Sequence, residues 1–296
     1  MSTPTLRQLR YFEALARHGH FGRAAEASAI SQPALSVQIR EMEARLGAKL
    51  FERSSRGVNL TAFGEAFAER TRDILLAVDE LSDLARASRG ALSGRLRIGV
   101  IPTVAPYMLP MLVRALATEY PDLEITLRET ITPRLIEDLV EGRLDTAIVA
   151  LPISEPSLTE VALFSESFVL VRPAAEAGEP VPPREAIGRM RLLLLEEGHC
   201  FRDQALSFCE AGPSRPGPAL EGSSLSTLVQ MVGAGLGVTL LPEMAVTLET
   251  RSAPVAVDRF PPPEPKRIVG MVWRRTTPLA GPLEEVSDVI RRAVAA

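Results

Sequence analysis

The chain has 296 residues, 46% of them hydrophobic and 24% charged, with two cysteines and a net charge of −4. This is long enough for two domains with buried cores, and the composition excludes a disordered, collagenous or disulfide-stapled chain. The opening MSTPTLRQLR lacks the apolar run of a signal peptide, and no stretch approaches the ~20 apolar residues of a membrane span. The expectation is a cytoplasmic protein with no membrane partner, where a disulfide would be conditional.

Charge is unevenly spread. Residues 1–60 hold nine Lys and Arg against five Glu, a net of +4 that leaves −8 for the remainder. A basic head on an acidic body points to a polyanion-binding module. Residues 5–17 place Leu6, Leu9, Phe12, Leu15 and Ala16 on one helical face. His18-Gly19-His20 interrupts them, and a short helix with small packing residues follows. Ser31-Gln32-Pro33 is a strong helix start, with Ser as N-cap and Pro in the first turn. The helix it opens buries Leu35, Ile39, Met42 and Leu46 and stops at Gly47. Two compact helices in this arrangement read as a helix-turn-helix. The second would turn Ser31, Gln32, Pro33, Ser36, Gln38 and Arg40 toward base edges or phosphates of double-stranded DNA. Residues 50–60 read as a β-ribbon wing carrying Arg53 and Arg56.

From Thr61, a capping residue, one long helix runs to about residue 88. Phe67, Ile74, Val78, Leu81 and Ala85 recur along it as a coiled-coil seam, which suits dimerisation. Residues 87–94 (ASRGALSG) form a linker. The domain boundaries expected are 1–61 for DNA binding, 62–94 for linker helix and hinge, and 95–296 for a regulatory domain. Beyond the linker, RLRIGVI, LEITLRE, DTAIVAL, SFVLVRP, RLLLLEE, GVTLLP and RIVGMVW read as strands. Helical segments separate them at 106–119, 133–142, 201–210, 224–234 and 280–294. Such alternation implies mostly parallel sheets, arranged as two α/β subdomains with a ligand cleft between them. The subdomains expected are about 95–165 plus 269–296, and about 166–268.

Cys200 and Cys209 lie nine residues apart in a segment where Phe201, Ala205, Phe208 and Cys209 fall at helical intervals. Along a helix that spacing is roughly 13 Å, whereas a disulfide needs Cα atoms within about 7 Å. The pair is therefore either two inert core residues or a switch that refolds the segment.

Residues 21–64, FGRAAEASAISQPALSVQIREMEARLGAKLFERSSRGVNLTAFG, resemble the LysR-type transcriptional regulators. That resemblance implies an α+β protein: a winged helix-turn-helix, a long linker helix, and a periplasmic-binding-protein-like α/β effector domain. RIGVIPTVAPYMLP (97–110), LEEGHCFRDQALSFCEAG (195–212), SLSTLVQMVGAGLGVTLLP (224–242) and PEPKRIVG (263–270) resemble the peroxide-sensing members of that family. GHC-x-RDQ followed by a second cysteine is the discriminating motif.

By that resemblance Cys200 is the thiol that attacks hydrogen peroxide and Cys209 resolves it to a disulfide. Thr103 and Thr132 match peroxide-binding positions. His199, Arg202, Asp203 and Arg267 match residues that support the thiolate. The implied partners are promoter DNA, hydrogen peroxide, further copies in a homodimer or homotetramer, RNA polymerase, and a cellular dithiol reductant. No enzyme activity and no cofactor are implied. The chain departs from the pattern at Phe201, at the Pro/Ala-rich segment 173–190 and at 212–220.

The chemistry suits the residues. A reactive thiolate is favoured by a helix N-terminus and by nearby cations. Two threonine hydroxyls would stabilise charge on the leaving oxygen. Two other readings remain: a LysR-type regulator answering a small molecule in the inter-subdomain cleft with incidental cysteines, and a thiol peroxidase, for which residues 1–90 would be superfluous. Gly233–Gly237 follows a helix and precedes a strand, the reverse of a dinucleotide loop. Three histidines and two cysteines give no metal-ligand spacing.

Overall fold

Helix α1 (Leu6–His18) begins with a reciprocal cap: Thr5 Oγ1 accepts from Gln8 N–H, and Gln8 Oε1 accepts from Thr5 N–H. The computed structural model describes residues 3–54, 57–87, 92–209 and 220–295. These form two compact units, residues 1–85 and 86–296.

In the first unit, α1 packs with α2 (Phe21–Ala27) and α3 (Gln32–Leu46). Phe12, Leu15, Ala24, Leu35 and Met42 are buried between them. Leu6, counted on that face by its spacing, is instead exposed. Ser31 caps α3 as its sequence requires, accepting from Ala34 N–H. The wing follows as β1 (Phe51–Ser54) and β2 (Gly57–Leu60), paired antiparallel from Phe51↔Leu60 to Ser54↔Gly57.

Glu43 fixes the wing to α3. Its buried carboxylate accepts from Lys49 Nζ at 2.7 Å, Leu50 N–H at 3.0 Å and Phe51 N–H at 3.3 Å. Burial alone would raise its pKa, but Lys49 and the two backbone donors outweigh it and hold the group below the ordinary carboxylate value. A depressed pKa means this stabilisation is present above the unfolded-state pKa and is lost as pH falls through the folded one. Glu43→Ala is expected to destabilise the unit by about 2 kcal/mol, because two backbone donors lose their acceptor. Thermal unfolding across the acid range checks it: Glu43→Gln should flatten the parent's loss of stability on acidification.

Helix α4 (Ala62–Ala87) is capped by Thr61, whose Oγ1 accepts from Gly64 N–H at 2.9 Å and donates to Lys49 O at 2.7 Å. Of the apolar seam, Phe67 packs on the first unit's core, whereas Ile74 is 45% and Leu81 67% exposed.

The second unit runs in order β3 (Gly94–Val100), α5 (Ala105–Glu119), β4 (Leu123–Glu129), α6 (Thr132–Val140), β5 (Thr146–Leu151) and β6 (Leu158–Pro173). There follow α7 (Arg184–Ile187), β7 (Leu194–Leu195), α8 (Cys200–Phe208), β8 (Glu221–Gly222), α9 (Leu225–Gly233) and β9 (Thr239–Pro242). The chain ends with α10 (Val246–Glu249), β10 (Val255–Arg259), β11 (Lys266–Arg274) and α11 (Ala280–Ala295). The main sheet has strand order β10-β6-β11-β5-β3-β4, with β9 also on β6.

The sheet is mixed, which corrects the expectation of mostly parallel strands. Among the described residues only β3–β4 and β3–β5 pair parallel within it, while β11–β5, β11–β6, β10–β6 and β6–β9 are antiparallel. The reason is β6, which spans sixteen residues and serves both halves. Up to Ser167 it pairs with the returning β11, and from Phe168 to Pro173 with β9 and β10. RLLLLEE, read as a strand, contributes only β7 and a bridge from Leu192 to Val238. Its short backbone run is shared between partners at Val238 and at 220–222. Two separate apolar cores result, one around Ile98, Leu112, Ile148 and Trp273, the other around Leu170, Leu194, Val229 and Leu240. A helix-turn-helix with a β-ribbon wing, a long helix and a mixed-sheet α/β unit together make the α+β architecture that the sequence implied.

Candidate functional site

Helix α8 brings the two cysteines into different surroundings. Cys200 is its first residue, half-buried against the core that contains Ile98 and Trp273. Cys209 is its C-cap, donating its N–H to Ala205 O at 3.0 Å, and is buried in the other core with Phe201 and Ala205. Positions 201, 205 and 209 share one helical face, so Cys200 and Cys209 point to opposite cores. No disulfide joins them, and nine residues of helix hold them roughly 13 Å apart.

A cleft opens beside Cys200, lined by Ile101, Pro102, Thr103, Ile131, Thr132 and His199, with about 160 Å³ of space including its mouth. The space is shallow, with no water-sized void enclosed, so a small oxidant would seat at the mouth. Gly198 makes this geometry possible. Its φ is +91°, and a Cβ there would lie 2.7 Å from Ile131 Cδ1, so any side chain would be strained and would push on the residue next to Thr132.

Thr132 is the first residue of α6, and its Oγ1 is buried with no hydrogen-bond partner among the described residues. Thr103 is buried, and Arg267 Nη1 donates to its Oγ1 at 2.8 Å and Nη2 to its carbonyl at 3.0 Å. Glu166 directly opposes Arg267 across β6 and β11. Its Oε1 accepts from Arg267 Nε at 2.6 Å, and its Oε2 accepts from Met244 N–H at 3.3 Å. The same guanidinium lies 5.8 Å from the ring centre of Phe201, the residue after Cys200.

Cleft residues Thr103, Thr132 and His199 are thus brought to Cys200, with Arg267 one layer behind Thr103. Arg202 is not. It is engaged by Glu221 at 2.7 Å and by Leu195 O at 2.8 Å, tying α8 to the β7–β8 ribbon. Asp203 faces solvent on α8. His199 brings no positive charge to the cleft near pH 7: desolvation pushes its pKa below the ordinary value, against the opposing pull of Glu196, so the imidazole is neutral there. Sequence reasoning missed Glu166, whose role depends on strand register alone. It gave no role to Gln204, the last residue of GHC-x-RDQ and one helical turn after Cys200, whose Oε1 is buried and unpartnered among the described residues. The i, i+4 spacing from Cys200 was the available signal.

A second hollow shares Pro102, Thr103 and His199 with the first and adds Tyr107, Glu129, Ser224, Ser226 and Glu249. Tyr107 Oη donates to Glu249 Oε1 at 2.6 Å, and Ser226 Oγ to Glu249 Oε2 at 2.5 Å. Burial and this carboxylate push the Tyr107 pKa well up, so the phenol stays a donor.

On the first unit, Ser31, Gln32, Pro33 and Arg40 are exposed and Ser36 and Gln38 half-buried. Arg40 Nε donates to Ser36 O at 3.2 Å. Gln38 Oε1 accepts from the buried Gln8, and its Nε2 donates to Glu41, both at 3.3 Å. Arg53 lies on β1 opposite Val58, and Arg56 lies outside the described residues.

Two family models cover these units: "Bacterial regulatory helix-turn-helix protein, lysR family" over residues 6–65, and "LysR substrate binding domain" over 89–295. A "Probable hydrogen peroxide-inducible genes activator" of Streptomyces viridosporus is 44% identical over 295 residues, 98% of this chain and 95% of that protein. Full-length OxyR from Pseudomonas aeruginosa, a cysteine-to-aspartate variant, is similar with a TM-score of 0.77 and 37% identity, covering 98% of this chain and 96% of that one. A cysteine-to-serine variant of Corynebacterium glutamicum OxyR with H2O2 bound is similar with a TM-score of 0.68 and 36% identity, covering 99% and 94%. With both units matched and relatives of this likeness running nearly end to end, the chain belongs to the LysR family of bacterial helix-turn-helix regulators.

Proposed function

We propose that the chain is a hydrogen-peroxide-responsive transcriptional regulator, switched by a reversible Cys200–Cys209 disulfide. The observation that carries this reading is the orphaned, buried Thr132 hydroxyl in the cleft beside Cys200. A buried polar atom without a partner is open to a polar ligand, and the cleft, which encloses no water-sized void, admits at most a very small one from its mouth. The relative solved with H2O2 bound supports the choice.

Each step balances in atoms and charge. The Cys200 thiolate attacks one peroxide oxygen; an S–O bond forms, the O–O bond breaks, and the leaving hydroxide takes a proton to depart as water. Cys209 sulfur then attacks the resulting sulfenic acid; the S–S bond forms and a second water leaves. Thr103 already accepts from Arg267, so its own proton is directed elsewhere and polarised by that bond. It serves as a donor to the leaving oxygen, with Thr132 as the second. Neutral His199 can pass a proton within the cleft. Cys200 occupies the N-terminus of α8, where the helix dipole favours negative charge.

Joining the sulfurs requires α8 to unwind, because they face different cores. Releasing Phe201 alone forfeits roughly 1.5–3 kcal/mol of burial, so the disulfide selects a second packing rather than a small adjustment. That change, passed to a dimer or tetramer assembled through the exposed seam of α4, would alter half-site spacing on promoter DNA. Ser31, Gln32, Pro33, Ser36, Gln38, Arg40, Arg53 and Arg56 are the proposed DNA contacts. RNA polymerase is the proposed partner in activation, a cellular dithiol the reductant, and the cytoplasm the compartment. Residues 1–61, 62–94 and 95–296 are the proposed functional divisions, the last split at about 165/166 and 268/269.

Thr132→Val tests the reading. It keeps the shape and removes the donor, and is expected to slow peroxide oxidation of Cys200 about 100-fold, the scale of one missing oxyanion donor. Stopped-flow oxidation and peroxide-dependent footprinting would read it. An unchanged rate would reject the assignment. A small-molecule effector in the hollow around Tyr107 and Glu249 is the second reading; it predicts induction that survives loss of Cys200.

A further inference from the structure

The Cys209 end of α8 is held by a segment outside the redox cleft. Arg184 of α7 donates from Nε to Phe208 O at 2.7 Å, and its guanidinium carbon lies 4.8 Å from the centre of the Phe208 ring. That ring meets Phe260 edge-on at 5.0 Å. Four residues after Arg184, Gly188 packs so closely that a Cβ there would lie 2.4 Å from Cys209 O. One short stretch, 184–188, therefore grips the peptide on both sides of the Cys209 Cα.

We propose that Arg184 is a positioning residue of the redox switch, a latch that holds Cys209 in its thiol-form seat and sets how readily it leaves to resolve the sulfenic acid. The inference rests on the disulfide reading above. Arg184 reaches the backbone entering Cys209 and the Phe208 ring, away from the cleft at Cys200. Its partner Phe208 O belongs to the peptide bond that enters Cys209, and Cys209 must travel from roughly 13 Å to within about 7 Å of Cys200. In this reading Cys209 leaves its seat to close that distance, and the hydrogen bond and ring stacking are lost as it goes. They stabilise the thiol form alone, so removing them favours oxidation.

The step affected is the second one. Peroxide oxidises Cys200 first; the Cys209 sulfur then displaces hydroxide, which leaves as water with the thiol proton. Arg184→Met is expected to speed that displacement and to raise the disulfide-forming equilibrium constant about tenfold, because it deletes one charge-assisted hydrogen bond and one cation–π interaction from the thiol form. Tenfold is a midpoint potential about 30 mV more negative. Formation of the sulfenic acid should stay within about twofold, since the Cys200 cleft is untouched. Arg184→Lys, which keeps a cation over the ring, should recover part of the shift. Arg189→Met, which removes an exposed arginine of the same segment, should leave both steps and the midpoint at the parental values.

Full-length protein in dithiol redox buffers gives the midpoint, and rapid-quench alkylation separates the two steps. A disulfide that forms in Arg184→Met with the parental midpoint and resolution rate overturns the latch. So does a variant slowed or accelerated in sulfenic acid formation, because Arg184 would then act on Cys200. If the parent itself forms no disulfide, the reading beneath fails and takes the latch with it.

Discussion

Cys200→Ser is expected to abolish the response to peroxide altogether: no disulfide, no change in DNA footprint, and no induction at any oxidant concentration the parent answers. The nucleophile is the thiolate, and a hydroxyl at the N-terminus of α8 has no comparable nucleophilicity without an activating base. The fold should survive, because Cys200 is half-buried at a helix terminus and serine is nearly isosteric with it. Cys209→Ser should fail differently. Oxidation would proceed to the sulfenic acid at Cys200 and stop, with slow passage to sulfinic acid under excess peroxide. A Cys200→Ser protein that still changed its footprint with peroxide would place the sensor elsewhere.

Arg267→Met carries the second large effect, on stability as well as reactivity. The substitution strands Glu166, whose side chain is only 8% exposed and whose Oε1 takes the ion pair. Breaking one side of a buried pair costs about 3–5 kcal/mol, whereas replacing both partners by apolar groups is often nearly neutral. Melting of the regulatory unit should drop by roughly 10 °C in Arg267→Met, and Arg267→Met with Glu166→Leu should regain most of it. Reactivity should not return with stability. Thr103 is deprived of both of its Arg267 donors in either protein, so peroxide oxidation should stay slow in the stable double variant. Equal recovery of both would mean that Arg267 acts only through the fold.

The parts legible in the sequence are those set by local rules. Ser31-Gln32-Pro33 is a helix start in any context, and the structure caps α3 there. Thr61 likewise opens α4, and α8 follows from the spacing of Phe201, Ala205 and Cys209. What escaped depends on partners distant in sequence. The first half of β6, Leu158–Glu166, and the whole of β10 lack an apolar run long enough to announce them. They exist because β11 returns beside the one and the far half of β6 runs beside the other. Leu192–Leu195 is apolar enough for a strand but finds only short ladders at Val238 and 221–222.

The site divides the same way. GHC-x-RDQ placed Cys200 and His199 correctly at the head of a helix, yet could not say that Arg202 would be taken by Glu221. Nor could it say that burial would leave His199 neutral. The Glu166–Arg267 pair spans 101 positions, and only strand register makes it.

The central claim is that the two sulfurs exchange between separated and joined states on contact with peroxide. Mass spectrometry of the peptide containing both cysteines, alkylated before and after one equivalent of hydrogen peroxide and again after a dithiol, tests it most directly. Two alkylated thiols are expected first, then one internally linked and unlabelled peptide, then two alkylated thiols again. Two labelled thiols after oxidant, in protein whose promoter footprint has nonetheless changed, would contradict it.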